Sequence, residues 1–202
     1  IRGPFTTSAA SSTINWIFAG EGGTNVVVTG TRLVVFAPAC DWSEPYQETM
    51  SWKSRVLVSR KGVEQRAALR QQPRYSLAFR AVSLDVASTI ELEGLLYACQ
   101  PGIFGVPMWP EYAYLAQAVD AGAQTLGIDI TDRPAFTEGG FAMLWHSMQE
   151  WEAFGIVSIS AGSISIDTPL SGSWPAGAKV VPLRLGRLPE SQALGRPTNW
   201  IT

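Results

Sequence analysis

From Thr125 to Leu188 the chain consists of short apolar runs separated by polar or turn-forming segments. The runs are Leu126–Ile130, Phe141–His146, Phe154–Ser160, Ser163–Asp167 and Ala178–Leu188. The first four are too short for a typical helix, and all are rich in β-branched and aromatic residues, which is the signature of strands. Ala161-Gly162 marks a tight turn, and Trp174-Pro175-Ala176-Gly177 leads into the last run. The first third reads the same way. Ile14–Phe18, Asn25–Thr29 and Thr31–Ala37 are strand-like and are divided by Gly20-Glu21-Gly22-Gly23 and by Gly30. Residues 1–13 are small and polar, as in an arm or linker.

One segment departs from this pattern. In Leu84–Ala98, Val86, Ile90 and the Leu95-Leu96 pair recur at helical spacing, and Pro101-Gly102 ends the run. The expected fold class is therefore β-dominated α+β: antiparallel β-sandwich or barrel domains with one main helix at about 84–98. The division expected is an N-terminal arm and β-segment (1–37), a β-hairpin plus helix domain (38–123), a small β-barrel-like domain (124–190) and a C-terminal tail (191–202). Residues 103–123 read as loop. A start at Ile1 and an end at Thr202 fit a segment of a longer polypeptide.

Charge is sparse and unevenly placed. Charged residues make up 16% of the chain, against roughly 25% in soluble domains. Burial of much of the surface against other subunits would account for this, since interface cores are depleted in charge. A net charge of −2 gives no global attraction to nucleic acid, and no nucleic-acid partner is expected. No apolar run reaches bilayer-spanning length, so no membrane partner is expected either. Lys53–Arg80 holds eight basic residues and a single acidic one, Glu64, so this stretch carries +7.

All of that basic stretch except Arg80 lies within Asp41–Phe79. Tyr46–Ser59 reads as a strand with Met50, Trp52, Val56 and Val58 at alternating positions. Arg60-Lys61-Gly62 suits a hairpin turn, with glycine in the left-handed position. Val63–Gln72 is rich in helix formers yet follows a hairpin signal, so strand and helix both stay open. Tyr75–Val82 alternates as a strand. Arg60, Arg66, Arg70, Arg74 and Arg80 all fall on even positions and would line one face of an extended chain. Arg66, Arg70 and Arg74 would also align on a helix.

Catalytic chemistry is thinly represented. There is no Gly-x-Ser-x-Gly elbow and no phosphate-cradling glycine loop. His146 is the single histidine and reads as structural. Asp129 with Asp132, Glu150 with Glu152 and Glu91 with Glu93 are the close carboxylate pairs. Each reads as solvated, although a glycan-degrading enzyme needs only two carboxylates. Cys40 and Cys99 match no zinc spacing and read as buried free thiols. No catalytic residue, metal site or cofactor is expected. The eight tryptophans suit a core or subunit interfaces. A sugar-binding platform of Trp109, Tyr112 and Tyr114 is the alternative.

Several segments together resemble tail proteins of long-tailed bacteriophages. They are Trp42-Ser43-Glu44-Pro45, Trp52, the run Ser59–Arg66, Ala68-Leu69-Arg70, Pro73-Arg74, Ser76 and Phe79. Val106-Pro107-Met108-Trp109 follows, and then Gly162-Ser163-Ile164, Trp174-Pro175-Ala176-Gly177 and Pro182-Leu183-Arg184. The resemblance spans about 41–188. It implies a non-enzymatic, β-rich tail-tip or baseplate component of the virion, similar to a distal or minor tail protein. Such a protein forms a ring-like homo-oligomer around the tail axis and links tube, hub and receptor-binding proteins. The residues expected at subunit contacts are Trp42, Trp52, Arg60, Arg66, Arg70, Arg74 and Trp109. A carbohydrate- or host-surface-binding β-domain is the alternative function.

Overall fold

A computed structural model of the chain describes residues 8–16, 24–83, 85–100, 102–191 and 195, with backbone alone for 8–16 and 24–32. Two strands, β1 (Ser8–Trp16) and β2 (Thr24–Arg32), form an antiparallel hairpin in unbroken register from Ser8↔Arg32 to Trp16↔Thr24. β1 therefore takes in residues 8–13, expected as linker, and β2 runs through Gly30. Four short strands follow: β3 (Gln47–Ser51), β4 (Ser54–Val58), β5 (Glu64–Ala68) and β6 (Arg74–Ala78). The helix α1 is Val86–Cys99. Then come β7 (Phe104–Pro107), a 3-10 turn at Trp109–Glu111, β8 (Ala113–Tyr114) and β9 (Thr125–Gly127). Last are β10 (Phe141–Trp145), β11 (Trp151–Ser160), β12 (Ser163–Ile166) and β13 (Lys179–Gly186). Among the described residues the fold is strand-dominated with antiparallel sheets and one helix, as expected.

The chain divides into two compact units, residues 39–82 and the remainder. The expected boundary at 123/124 falls inside the larger unit. There β7 and β8 both pair with β13, so residues 103–123 belong to the same sheet as 125–186. The sheet order is β7-β13-β10-β11-β12-β9. Its far end returns to β8 where Leu115 bridges Ile128 and Ala116 N–H donates to the Gly127 carbonyl at 2.8 Å. The curled sheet encloses Leu126, Ile128, Leu144, Ile164, Ile166 and Val180, all at most 3% exposed. Gly162, at φ +78°, makes the expected turn between β11 and β12.

β10 and β13 are covered on both faces. Leu144 and Val180 point into the curled sheet, while their neighbours Met143 and Val181 are equally buried on the other side. This explains why Ala142-Met143-Leu144 and Val180–Leu183 read as continuous apolar runs rather than alternating ones. Pro182 sits mid-strand in β13, a position proline rarely holds. It lies where the neighbour changes from β7 to β8, and its carbonyl accepts from Met108 N–H at 2.9 Å. The missing donor of proline thus falls at a break in the ladder.

Part of the second face is covered by 33–38. Gly105 exchanges hydrogen bonds with Val34 and Phe36, and Trp145 Nε1 donates to the Ala37 carbonyl at 2.9 Å. Gly105 tolerates this approach because a Cβ there would meet Leu183 and Val35 at 3.2 and 3.3 Å. Cys99, at the end of α1, joins Val34 and Phe104 in a satellite core with Leu95 packed against it. Asp85 caps the helix by accepting Ser88 N–H at 2.8 Å.

Candidate functional site

The unit 39–82 is a long β-hairpin. Its base is closed by a Cys40↔Ala81 bridge and by Asp41 N–H donating to the Arg80 carbonyl at 2.7 Å. The Arg80 guanidinium reaches Glu44 at 3.0 Å and Asp41 at 3.5 Å. Asp41 is held below the usual carboxylate range, mainly by the side-chain and backbone hydrogen bonds from Ser43 and then by Arg80. Above the base, the Tyr46 and Phe79 rings stack with centroids 5.4 Å apart. β3 then pairs with β6, from Gln47↔Ala78 to Ser51↔Arg74.

Trp52-Lys53 interrupts one strand and Leu69–Pro73 interrupts the other. The two sides stay linked by Leu69 N–H donating to the Lys53 carbonyl at 2.8 Å. β4 and β5 resume the ribbon, from Ser54↔Ala68 to Val58↔Glu64. At the tip Ser59 N–H donates to the Val63 carbonyl at 2.9 Å, and Gly62 is left-handed at φ +78°. The expected turn at Arg60-Lys61-Gly62 is therefore present. Val63–Gln72, open between helix and strand, contains strand β5.

Cross-strand partners share a face, so the register sorts the side chains. In the lower ribbon Met50 lies opposite Tyr75 and Glu48 opposite Leu77, while Thr49/Ser76 and Ser51/Arg74 occupy the other side. One face is mainly apolar and the other polar. In the upper ribbon Val56 lies opposite Arg66, and Leu57 opposite Gln65. Nearly every strand residue of the ribbon is exposed, Trp52 at 65% among its linkers. A two-stranded ribbon consists of two edge strands, whose outward N–H and C=O groups can accept a further strand.

The expected contact residues separate. Trp52, Arg60, Arg66, Arg70 and Arg74 lie along the ribbon, and exposed Trp42 lies near its base. The arginines do not form one continuous row, because Arg70 falls in the interruption between β5 and β6. Arg66 pairs with Glu64 at 3.1 Å with both side chains well exposed, which contributes little stability. Trp109 lies elsewhere and is a correction to the expectation. It is 3% exposed and packs edge-on against Trp145, with centroids 5.2 Å apart. Its flanking prolines and the 3-10 turn direct the indole inward, so it belongs to the core. The expected platform reduces to Tyr112 and Tyr114, which meet edge-on at 5.2 Å, with the Lys179 ammonium 5.4 Å from the Tyr112 ring.

The carboxylates flagged as pairs act separately. Asp129 accepts the Thr131 N–H and hydroxyl. Glu152 accepts Trp174 Nε1–H at 3.2 Å and the Ser171 and Gly172 amides. Glu91 accepts Gln149 Nε2–H at 2.7 Å. His146 is exposed at the start of the β10–β11 turn. Cys40 and Cys99 are buried free thiols, as read from the sequence. No protein-family model matches the chain, and no curated protein sequence matches it.

Proposed function

We propose that this protein is a structural, non-enzymatic component of a bacteriophage tail tip or baseplate, that it oligomerises around the tail axis, and that it joins the tube to hub or receptor-binding proteins. The observation that carries the reading is the ribbon of residues 47–78. It exposes Met50, Trp52, Val56, Leu57, Val58, Val63 and Leu69 together. A free two-stranded ribbon is marginally stable in water, and exposed apolar groups on this scale mark an interaction surface. The low charge content and the segment pattern around Trp42–Phe79 support the same reading. Size-exclusion chromatography with light scattering tests it. The expected result is a ring-sized assembly that Trp52→Ala with Arg66→Glu dissociates into folded monomers. A wild-type chain that stays monomeric at every concentration overturns it.

A second reading, a carbohydrate- or host-surface-binding module, draws on exposed Tyr114 beside Tyr112 and Lys179. Glycan-array binding abolished by Tyr114→Ala, from a chain that remains monomeric, would favour it.

A further inference from the structure

We infer that the outward row of Tyr114, Lys179, Trp145 and Trp151, with Tyr112 beside it, binds an anionic saccharide whose carboxylate or phosphate is held by the Lys179 ammonium. The inference rests on the carbohydrate-binding reading above and gives that ligand a charge. The strand register builds the row. Tyr114 lies opposite Lys179, Lys179 opposite Trp145, and Trp145 opposite Trp151. Directly opposed residues share a face, so one row crosses β8, β13, β10 and β11. Their chain neighbours Val180 and Leu144 point into the curled sheet, which turns Lys179 and Trp145 outward. None of the four row residues is buried. Three strand spacings separate its ends, about 14 Å, the scale of an oligosaccharide rather than of a single small ion.

The chemistry of the row selects its ligand. Lys179 is its one charged member, and Nζ stands 5.2 Å from the Trp145 ring centroid and 5.4 Å from that of Tyr112. The ammonium makes no ion pair among the described residues. Ring faces attract its charge, but an oxygen anion accepts its N–H groups far better. The rings also hold the cation in place, which lowers the ordering cost of binding. They are held in turn. Trp145 Nε1 donates to the Ala37 carbonyl at 2.9 Å, and Trp109 packs edge-on against the indole. The Tyr114 hydroxyl donates to that of Tyr112 at 3.4 Å. Flat aromatic faces of this kind pack against the C–H faces of sugar rings, and a fixed cation among them selects a sugar that carries negative charge. An acidic peptide would meet the same cation. The row lies on a sheet face, however, where backbone groups are spent within the ladder and none remains to pair with a peptide main chain.

A glycan array of carboxylated, phosphorylated and neutral saccharides, probed with the full chain, tests this. Binding should be confined to the charged saccharides, and the set that responds identifies the anion. Lys179→Gln should weaken binding by about tenfold or more, and Lys179→Arg should largely restore it. Tyr114→Ala should weaken binding while keeping the preference for charge. Tyr114 is 54% exposed, so this variant should keep the wild-type circular dichroism spectrum and gives a second test should Lys179→Gln fail to fold. Binding of neutral saccharides that Lys179→Gln leaves unchanged overturns the inference and leaves the carbohydrate reading standing. Absence of binding to every saccharide overturns both. Displacement of the bound saccharide by poly-glutamate at equal charge concentration also overturns the inference, since it would make the site a receptor for any acidic chain.

Discussion

Glu152 does most to hold the loop before β13. Its carboxylate gathers the Trp174 indole N–H and the amides of Ser171 and Gly172. Glu152→Gln replaces one acceptor oxygen by a donor that faces other donors. We expect a loss of about 1–3 kcal/mol, read from urea denaturation. Gly155 is constrained differently. A Cβ there would stand 2.6 Å from Asp167 Oδ2, while Asp167 Oδ1 accepts the Gly155 amide at 2.9 Å. Gly155→Ala must push that carboxylate away, and a destabilisation of about 1–3 kcal/mol is expected from the overpacking. Burial pushes the Cys99 thiol up to about 12 from an ordinary 9.0. The folded-state value is the higher one, so the unfolded chain releases its proton first. The contribution is whole below pH 9.0 and is lost as pH rises towards about 12. Native protein should be nearly inert to Ellman's reagent at pH 8, and both thiols should react after denaturation.

Among the elements, α1 depends on its first turn. The Ser88 backbone N–H, and then the Ser88 hydroxyl, hold Asp85 below the ordinary 3.8. A lowered folded-state pKa gives a contribution present above the unfolded value and lost as pH falls through the folded one. Acid titration of the helical signal should thus show an extra loss below pH 3.8 that Asp85→Asn removes. In the ribbon, every residue of β4 and β5 is exposed. Replacing 53–69 by an Asn-Gly turn should leave the melting temperature of the curled sheet unchanged, by differential scanning calorimetry, and abolish the proposed assembly. β10 to β13 were readable because each is bounded by glycine, proline or a turn. β7 and β8 were not, since four and two residues around a proline-rich turn are too short to show a period. The ambiguity over Val63–Gln72 arose because Glu, Gln, Arg and Ala favour a helix on their own. Pairing with β4 overrode that preference.

For the whole molecule, the ribbon segment carries +7 in a chain of net −2, so the proposed contacts between copies should be salt-sensitive. Raising salt from about 0.1 to 1 M shortens the screening length from roughly 10 to 3 Å. The light-scattering mass should fall over that range, and constant mass would argue for a purely apolar contact. The sequence by itself determined the strand-dominated class, the single helix, the tip of the hairpin, the two free thiols and the concentration of positive charge. These follow from local period, turn chemistry and composition, which act over a few residues. Only the tertiary structure decided which apolar residues are covered. Trp109 and Trp52 are the same residue type, yet one lies against Trp145 in the core and the other is exposed on the ribbon. The apolar positions of α1 recur at helical spacing, yet Val86 and Ile90 point outward while Leu95 packs inward. Burial depends on what distant segments bring to a surface, and residues 34, 104 and 145 reach their neighbours through contacts that no local pattern encodes.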